Sequence, residues 1–293
     1  MAVVALGKLG GRELTIGSDL DLLFVYHCED EASDGPKPLT PIPYYSRFGQ
    51  RYMTAITSPT GEGTLYEVDM RLRPSGNAGP LASALDSFIK YHQEAAWTWE
   101  HMALTRARVI VASDTLRHQL ESGIADILAS PRDPDSLLRD VASMRARIER
   151  DRPATGPWDV KNLRGGLVDI EFLSQYLQLR HAHDQPGIIS QNSTEALTRL
   201  RDFGILESKT AETLIRGLTL WRNVQGVIRL SVGEAFNLPL LPDGCRDFVM
   251  KVCGQDKFDV LREEIQDTVT SCHVIFRDLI ETPAADLPPL EER

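Results

Sequence analysis

The sequence predicts an α+β chain: a domain with a mixed sheet over residues 1–130, an all-α helical bundle over 136–282, and a disordered tail over 283–293. Three observations predict it. Short apolar and alternating runs bounded by glycine and proline dominate the first part. The stretch Ser130-Pro131-Arg132-Asp133-Pro134-Asp135 reads as a linker. Beyond it, every long segment carries a period of 3.6 residues.

Val3-Val4-Ala5-Leu6 is a short apolar strand, followed by the turn Gly7-Lys8-Leu9-Gly10-Gly11. Leu20 to Tyr26 is a second strand, rich in Leu, Phe, Val and Tyr. Residues 27–43 are acidic and proline-rich and read as a solvated loop. Tyr45, Phe48, Tyr52 and Ile56 recur at helical spacing within a helix from Tyr44 to Thr57. Leu65 to Arg73 is the third strand. Its Tyr66, Val68, Met70 and Leu72 form an apolar face, and its Glu67, Asp69, Arg71 and Arg73 a charged one. Leu85 to Leu104 reads as one helix, with Trp97 and Trp99 packing; Arg106 to Val111 reads as a short strand or a continuation of that helix. In the second part, Asp135 is placed to cap a helix from Ser136 to Arg150. Helical periodicity follows over Val168–Leu179, Ser193–Phe203, Lys209–Leu230 and Phe258–Ile280.

The candidate chemistry lies in Gly17-Ser18-Asp19-Leu20-Asp21 and in Asp69 of the third strand. Strand side chains alternate, so Asp19 and Asp21 point the same way. Adjacent carboxylates repel, and a cation between them removes the repulsion. With a glycine turn able to approach a polyphosphate and Arg71 and Arg73 close by, the set points to a magnesium–nucleotide site and nucleotidyl transfer. Each part has a plainer counterpart: a simple tight turn at Gly7–Gly11, and a wet sheet face at Glu67–Arg73. The turn is not a Walker A loop, because the spacing and the Ser/Thr after Lys8 are missing. Lys161 and Arg164, ahead of Gly165-Gly166, either reach nucleotide phosphates or a partner protein, or sit in an exposed loop.

The order strand, Gly-Lys turn, Ser-Asp-x-Asp strand and later Asp-bearing strand resembles the DNA polymerase β-type nucleotidyltransferase superfamily. Ala5–Leu14, Glu67–Gly76, Ala96-Trp97-Thr98-Trp99-Glu100-His101 and Asp159–Phe172 are similar to the bacterial glutamine synthetase adenylyltransferase family. The Ala96–His101 and Val168–Phe172 forms resemble that family's C-terminal, adenylylating half. The resemblance implies metal-dependent transfer of AMP from ATP to a tyrosine hydroxyl of glutamine synthetase, with a PII-type signal protein as a further partner. It implies Mg2+ or Mn2+ on Asp19, Asp21 and Asp69, with Asp69 also as proton acceptor. ATP would meet Gly7, Lys8, Ser18, Arg71, Arg73, Lys161 and Arg164. Two alternatives stay open: phosphorolytic removal of AMP from the modified protein, and a silent nucleotide- or signal-binding module. Superfamily members place a helix ahead of the first strand, so Met1 at that strand implies a fragment.

The bulk numbers exclude several classes. The 293 residues are 42% hydrophobic and 25% charged, enough for a packed core. A net charge of −10 argues against nucleic acid as a partner. None of the 4 cysteines forms a C-x-x-C pair, and their scatter suits reduced thiols in a cytoplasm. No stretch reaches the roughly 18 apolar residues of a membrane span, and no signal peptide is visible. The 7 histidines form no metal-binding pattern.

Overall fold

The computed structural model describes residues 1–64, 66–231 and 243–288. They divide into two compact units: residues 1–130 with 182–192, and residues 131–181 with 193 onward. Among the described residues no helix is long and apolar enough to cross a membrane.

The first unit is built on a mixed five-stranded sheet. β1 (Ala2–Ala5) pairs antiparallel with β2 (Leu20–Tyr26) on one side and with β5 (Arg108–Val111) on the other. The far edge of β2 carries two short parallel strands in succession: β3 (Val68–Asp69) beside Leu20 and Asp21, then β4 (Ala82–Ala84) beside Phe24 to Tyr26. Every residue of β1 is buried, and β2 is buried from Leu22 onward, so the two central strands form the core. Helix α2 (Pro41–Thr57) covers this core: Tyr45 stacks on Tyr26 with centroids 4.2 Å apart, and Tyr52 meets Phe24 edge-on at 5.7 Å.

Three expectations change in this unit, and one helix was not foreseen. The glycine turn contains one helical turn, α1 (Gly7–Gly10). The third strand is far shorter than Leu65–Arg73, and Leu65 lies outside the described residues. The ladder stops at Asp69 because its side chain accepts the N–H of Arg71 at 2.8 Å, offering the backbone a turn instead. The helix expected from Leu85 to Leu104 is two, α3 (Leu85–Glu94) and α4 (Thr98–Leu104). The break falls at Ala95, which leaves helical geometry with φ −132°, and the Glu100 carboxylate then accepts the N–H of Trp97 to start α4. Helix α5 (Asp114–Leu128) follows β5; its Leu116, Leu120, Ile124 and Ile127 spacing was not read from the sequence.

The second unit is helical: α6 (Pro134–Asp151), α7 (Leu167–His181), α8 (Ser193–Asp202), α9 (Ser208–Ser231), α10 (Asp243–Cys253) and α11 (Phe258–Phe276). Asp133, not Asp135, caps α6; its side chain accepts the N–H of Ser136 at 2.8 Å, and Pro134 occupies the first helical position. Trp221 is fully buried, and its indole N–H donates to the Gly165 carbonyl at 3.1 Å. Beyond Phe276 the helix widens into a π-turn over Arg277–Glu281 and continues as α12 (Thr282–Ala285). The tail expected to be disordered therefore begins as helix, and Arg139 donates to the Pro288 carbonyl; residues 289–293 lie outside the described residues.

Candidate active site

Asp21 and Asp69 are register partners across β2 and β3. Opposite residues of a parallel pair share a face, so the two carboxylates stand side by side, with Asp19 just ahead of β2. Burial, then the charges of Asp69 and Asp19, push the Asp21 carboxyl up to about 6, against the smaller opposing pull of Arg106 and Arg71.

Gly7 makes this crowding sterically possible. It has φ +49°, and a Cβ there would lie 2.0 Å from the Asp21 Oδ2. Only a residue without a side chain lets the α1 backbone cross the carboxylate in this conformation. The carbonyl end of α1 is held from below: Arg108 donates to the Leu9 and Gly10 carbonyls at 2.7 and 3.0 Å. Arg106 forms an ion pair with Glu13, both side chains nearly inaccessible. Sequence reasoning placed Arg106 and Arg108 in a short strand or a continuing helix and gave them no part in the site. Arg106 lies in the turn ahead of β5 and Arg108 opens the strand, so strand alternation does not relate them.

Asp69 is clamped by Arg71. The guanidinium Nε donates to its two oxygens at 3.0 and 2.8 Å, and Nη2 makes a further contact. These hydrogen bonds hold the Asp69 carboxyl below its usual range. Arg73 turns back to the Met70 carbonyl at 2.7 Å. A cavity of about 460 Å³ opens here, with Asp19, Glu67, Asp69, Arg71, Arg73 and Asn77 in its wall, a size suited to a small ligand.

The remaining predicted residues divide. Lys8 donates to Thr15 Oγ1 at 3.4 Å. Ser18 is buried; its hydroxyl lies 2.9 Å from that of Thr15 and accepts the Thr15 N–H at 3.1 Å, fixing the turn that leads into Asp19. Lys161 and Arg164 lie in the second unit, on the loop before α7. Lys161 is exposed. Arg164 pairs with Glu281, with Glu149 at 3.5 Å and with Asp169 at 3.9 Å, and stacks its guanidinium 5.3 Å from the Phe276 ring centre. Asp169 also pairs with the buried Arg145 and accepts the Gly165 N–H at 2.6 Å.

The donor set fits a hard divalent cation. All three groups are carboxylates, and the Asp21 carboxyl, raised by burial and then by the charges of Asp69 and Asp19, stands where a cation would relieve the ionised form. Among the described residues no three acidic, histidine or cysteine side chains stand together as a ready metal shell. The hydrogen bonds of Arg71 take up both oxygens of Asp69.

Residues 1–123 match the family model for glutamate-ammonia ligase adenylyltransferase. Residues 139–280 match a second model, GlnD PII-uridylyltransferase. The chain is similar along nearly its whole length to curated proteins named bifunctional glutamine synthetase adenylyltransferase/adenylyl-removing enzyme. One, from Rhodopseudomonas palustris strain TIE-1, is 43% identical over 281 residues, covering 95% of this chain and 28% of the relative. Another, from Bradyrhizobium diazoefficiens, is 41% identical over 282 residues, covering 96% and 28%. A third, from Xanthobacter autotrophicus, is 42% identical over 287 residues, covering 97% and 29%. The chain thus spans little more than a quarter of the length of these relatives. The adenylyltransferase match contains Gly7, Asp19, Asp21, Asp69, Arg71 and Arg73; Lys161 and Arg164 fall in the second match.

Proposed function

We propose that the chain transfers AMP from ATP to a tyrosine hydroxyl of glutamine synthetase, in a reaction that depends on magnesium or manganese. One observation carries the reading: Asp21 opposite Asp69, with Gly7 admitting the backbone against the Asp21 carboxylate. Asp19, Asp21 and Asp69 would hold the ion, which offsets the triphosphate charge and lowers the pKa of the acceptor hydroxyl. Arg71 and Arg73 line the cavity beside Asp69 and supply cations for the phosphate oxygens. A tyrosine hydroxyl has a pKa of roughly 10, so it needs a base at neutral pH. Asp69 is that base. While Arg71 clamps it, its carboxyl is held low and accepts protons poorly. Movement of Arg71 onto the phosphates would release it, coupling nucleotide binding to base activation. The proton passes to Asp69, the tyrosine oxygen bonds to the α-phosphorus, and pyrophosphate leaves in line.

The Ala96–His101 and Val168–Phe172 forms support the adenylylating direction. The match of residues 139–280 supports a PII-type signal protein as a regulatory partner. Lys161 is a further candidate contact for the phosphates; Arg164 would first have to leave its carboxylates. The test uses the purified chain in two assays. In one, glutamine synthetase, ATP labelled in its α-phosphate and magnesium should give labelled glutamine synthetase. In the other, adenylylated glutamine synthetase is supplied with inorganic phosphate. Turnover in the second assay alone would reverse the assignment, and turnover in neither would remove it.

A further inference from the structure

The turn between β1 and β2 is held at both ends. Its entry is fixed at the strand: the Leu6 N–H donates to the Asp21 carbonyl at 2.9 Å. Its exit is a helix C-terminus. The Arg12 N–H donates to the Leu9 carbonyl at 3.3 Å and the Glu13 N–H to the Lys8 carbonyl at 2.8 Å, with Arg12 left-handed at φ +58°. This is a Schellman-type ending, and glycine is favoured at its left-handed position because a side chain there costs energy. A single helical turn is also too short to persist on its own hydrogen bonds. The turn therefore depends on groups outside it.

Those groups take the carbonyls at the end of α1. Arg108 donates Nη2 to the Leu9 carbonyl at 2.7 Å and Nε to the Gly10 carbonyl at 3.0 Å. Asn192 donates Nδ2 to the Gly11 carbonyl at 3.0 Å. Two side chains remote in sequence thus hold three consecutive carbonyls, and both belong to the first unit. The glycines allow the close seating: a Cβ on Gly10 would stand 1.9 Å from the Arg106 carbonyl oxygen, and one on Gly11 2.8 Å from that of Gln191. At the other end of α1, Gly7 lies against the Asp21 carboxylate, so the seating of α1 sets the gap between turn and carboxylate. We propose that Arg108 and Asn192 are positioning residues, which hold the last carbonyls of the turn and so fix Gly7–Gly10 over Asp21 for the magnesium–nucleotide. The link to the nucleotide rests on the proposed function; the seating of the turn does not.

The experiment combines two readouts on the full chain. Arg108→Lys keeps the positive charge but loses the planar pair of donors that reaches two successive carbonyls. Hydrogen exchange should accelerate about tenfold at Gly10, Gly11 and Glu13, while the amides of β2 keep their protection. Affinity for magnesium–ATP should fall about three- to tenfold, the range expected for loss of hydrogen bonds. Binding of magnesium alone should stay unchanged, because the carboxylates remain in place. Asn192→Ala should act in the same direction on the same amides, and it serves if Arg108→Lys does not fold. Unchanged exchange at Gly10 and Gly11 would overturn the proposal. So would protection lost equally in β2, which marks a general loss of stability, or accelerated exchange with undiminished ATP affinity. If the parent chain binds no magnesium–ATP, the proposed function fails, while the exchange data still decide whether Arg108 and Asn192 seat the turn.

Discussion

Asp21→Asn replaces the carboxylate that burial and two neighbouring charges hold in an unfavourable ionised state. The Asp21 carboxyl stands at about 6, against 3.8 in an unfolded chain. Below pH 3.8 the group is protonated in both states and contributes nothing. Between 3.8 and 6 the unfolded chain gives up its proton while the native chain keeps it, so native stability falls as pH rises. Above 6 the full penalty stands, roughly 2–3 kcal/mol at 1.36 kcal/mol per unit. Asp21→Asn should therefore stabilise the first unit at pH 7.5 in metal-free buffer by up to that amount, with little effect at pH 4. The two units need not unfold together, so the assay is hydrogen exchange at the β1 and β2 amides, which reports opening of this unit. Added magnesium should stabilise the parent chain and not the variant, and adenylyl transfer should be lost. If the variant gains nothing at pH 7.5, or gains equally at pH 4 and 7.5, the electrostatic account of the site is wrong.

Four other outcomes test the same structure. Gly7→Ala places a methyl 2.0 Å from the Asp21 carboxylate in a left-handed backbone, so β1–β2 protection should drop by at least about 1–2 kcal/mol; unchanged protection would show that α1 can be moved aside. Arg71→Ala should let the Asp69 carboxyl rise toward its ordinary value, tightening magnesium while weakening ATP in calorimetric titrations, and a parallel loss of both would contradict the clamp. Asp169→Asn strands the buried Arg145 and should destabilise the helical unit by about 3–5 kcal/mol, read from fluorescence of Trp221, whose indole bonds to the same loop. Arg164→Ala should lower that Trp221 melting midpoint and Lys161→Ala should not, whereas a raised KM for ATP is expected for Lys161→Ala if the exposed ammonium reaches phosphate.

The sequence was most legible where side-chain period and backbone state coincide. Asp21 lies in an apolar run, and its place in β2 follows from strand propensity, whereas Asp19 falls just ahead of the strand, where alternation does not govern it. The long helices α7, α8 and α9 announce themselves by apolar spacing. Shorter elements were governed by single side chains whose partners the sequence does not display. Asp69 ends β3 by capturing the Arg71 amide, so an alternation that continues to Arg73 overstates the strand. Glu100 starts a second helix by capturing the Trp97 amide, so a helical pattern running through Ala95 and Ala96 hides a break. Asp133 and Asp135 are both plausible caps, and only the position of Pro134 chooses between them. The site shows the same division. The strand that carries Asp21 could be read, but Arg108, which holds the Leu9 and Gly10 carbonyls, and Arg106, which pairs with Glu13, act across long sequence separations that periodicity does not encode.

The return of residues 182–192 to the first unit has a consequence for how that unit comes into being. The Asn192 side chain donates to the Gly11 carbonyl at 3.0 Å, and the Gln191 carbonyl lies against Gly11, where an added Cβ would stand 2.8 Å from it. The chain thus leaves the first unit at Ser130 and re-enters it only after α6 and α7. A ribosome must have made Asn192 before the loop beside Asp21 receives its last support. A gene cut after Ser130 would encode Gly7, Asp19, Asp21, Asp69, Arg71 and Arg73, yet leave the Gly7–Gly11 turn without the hydrogen bond from Asn192.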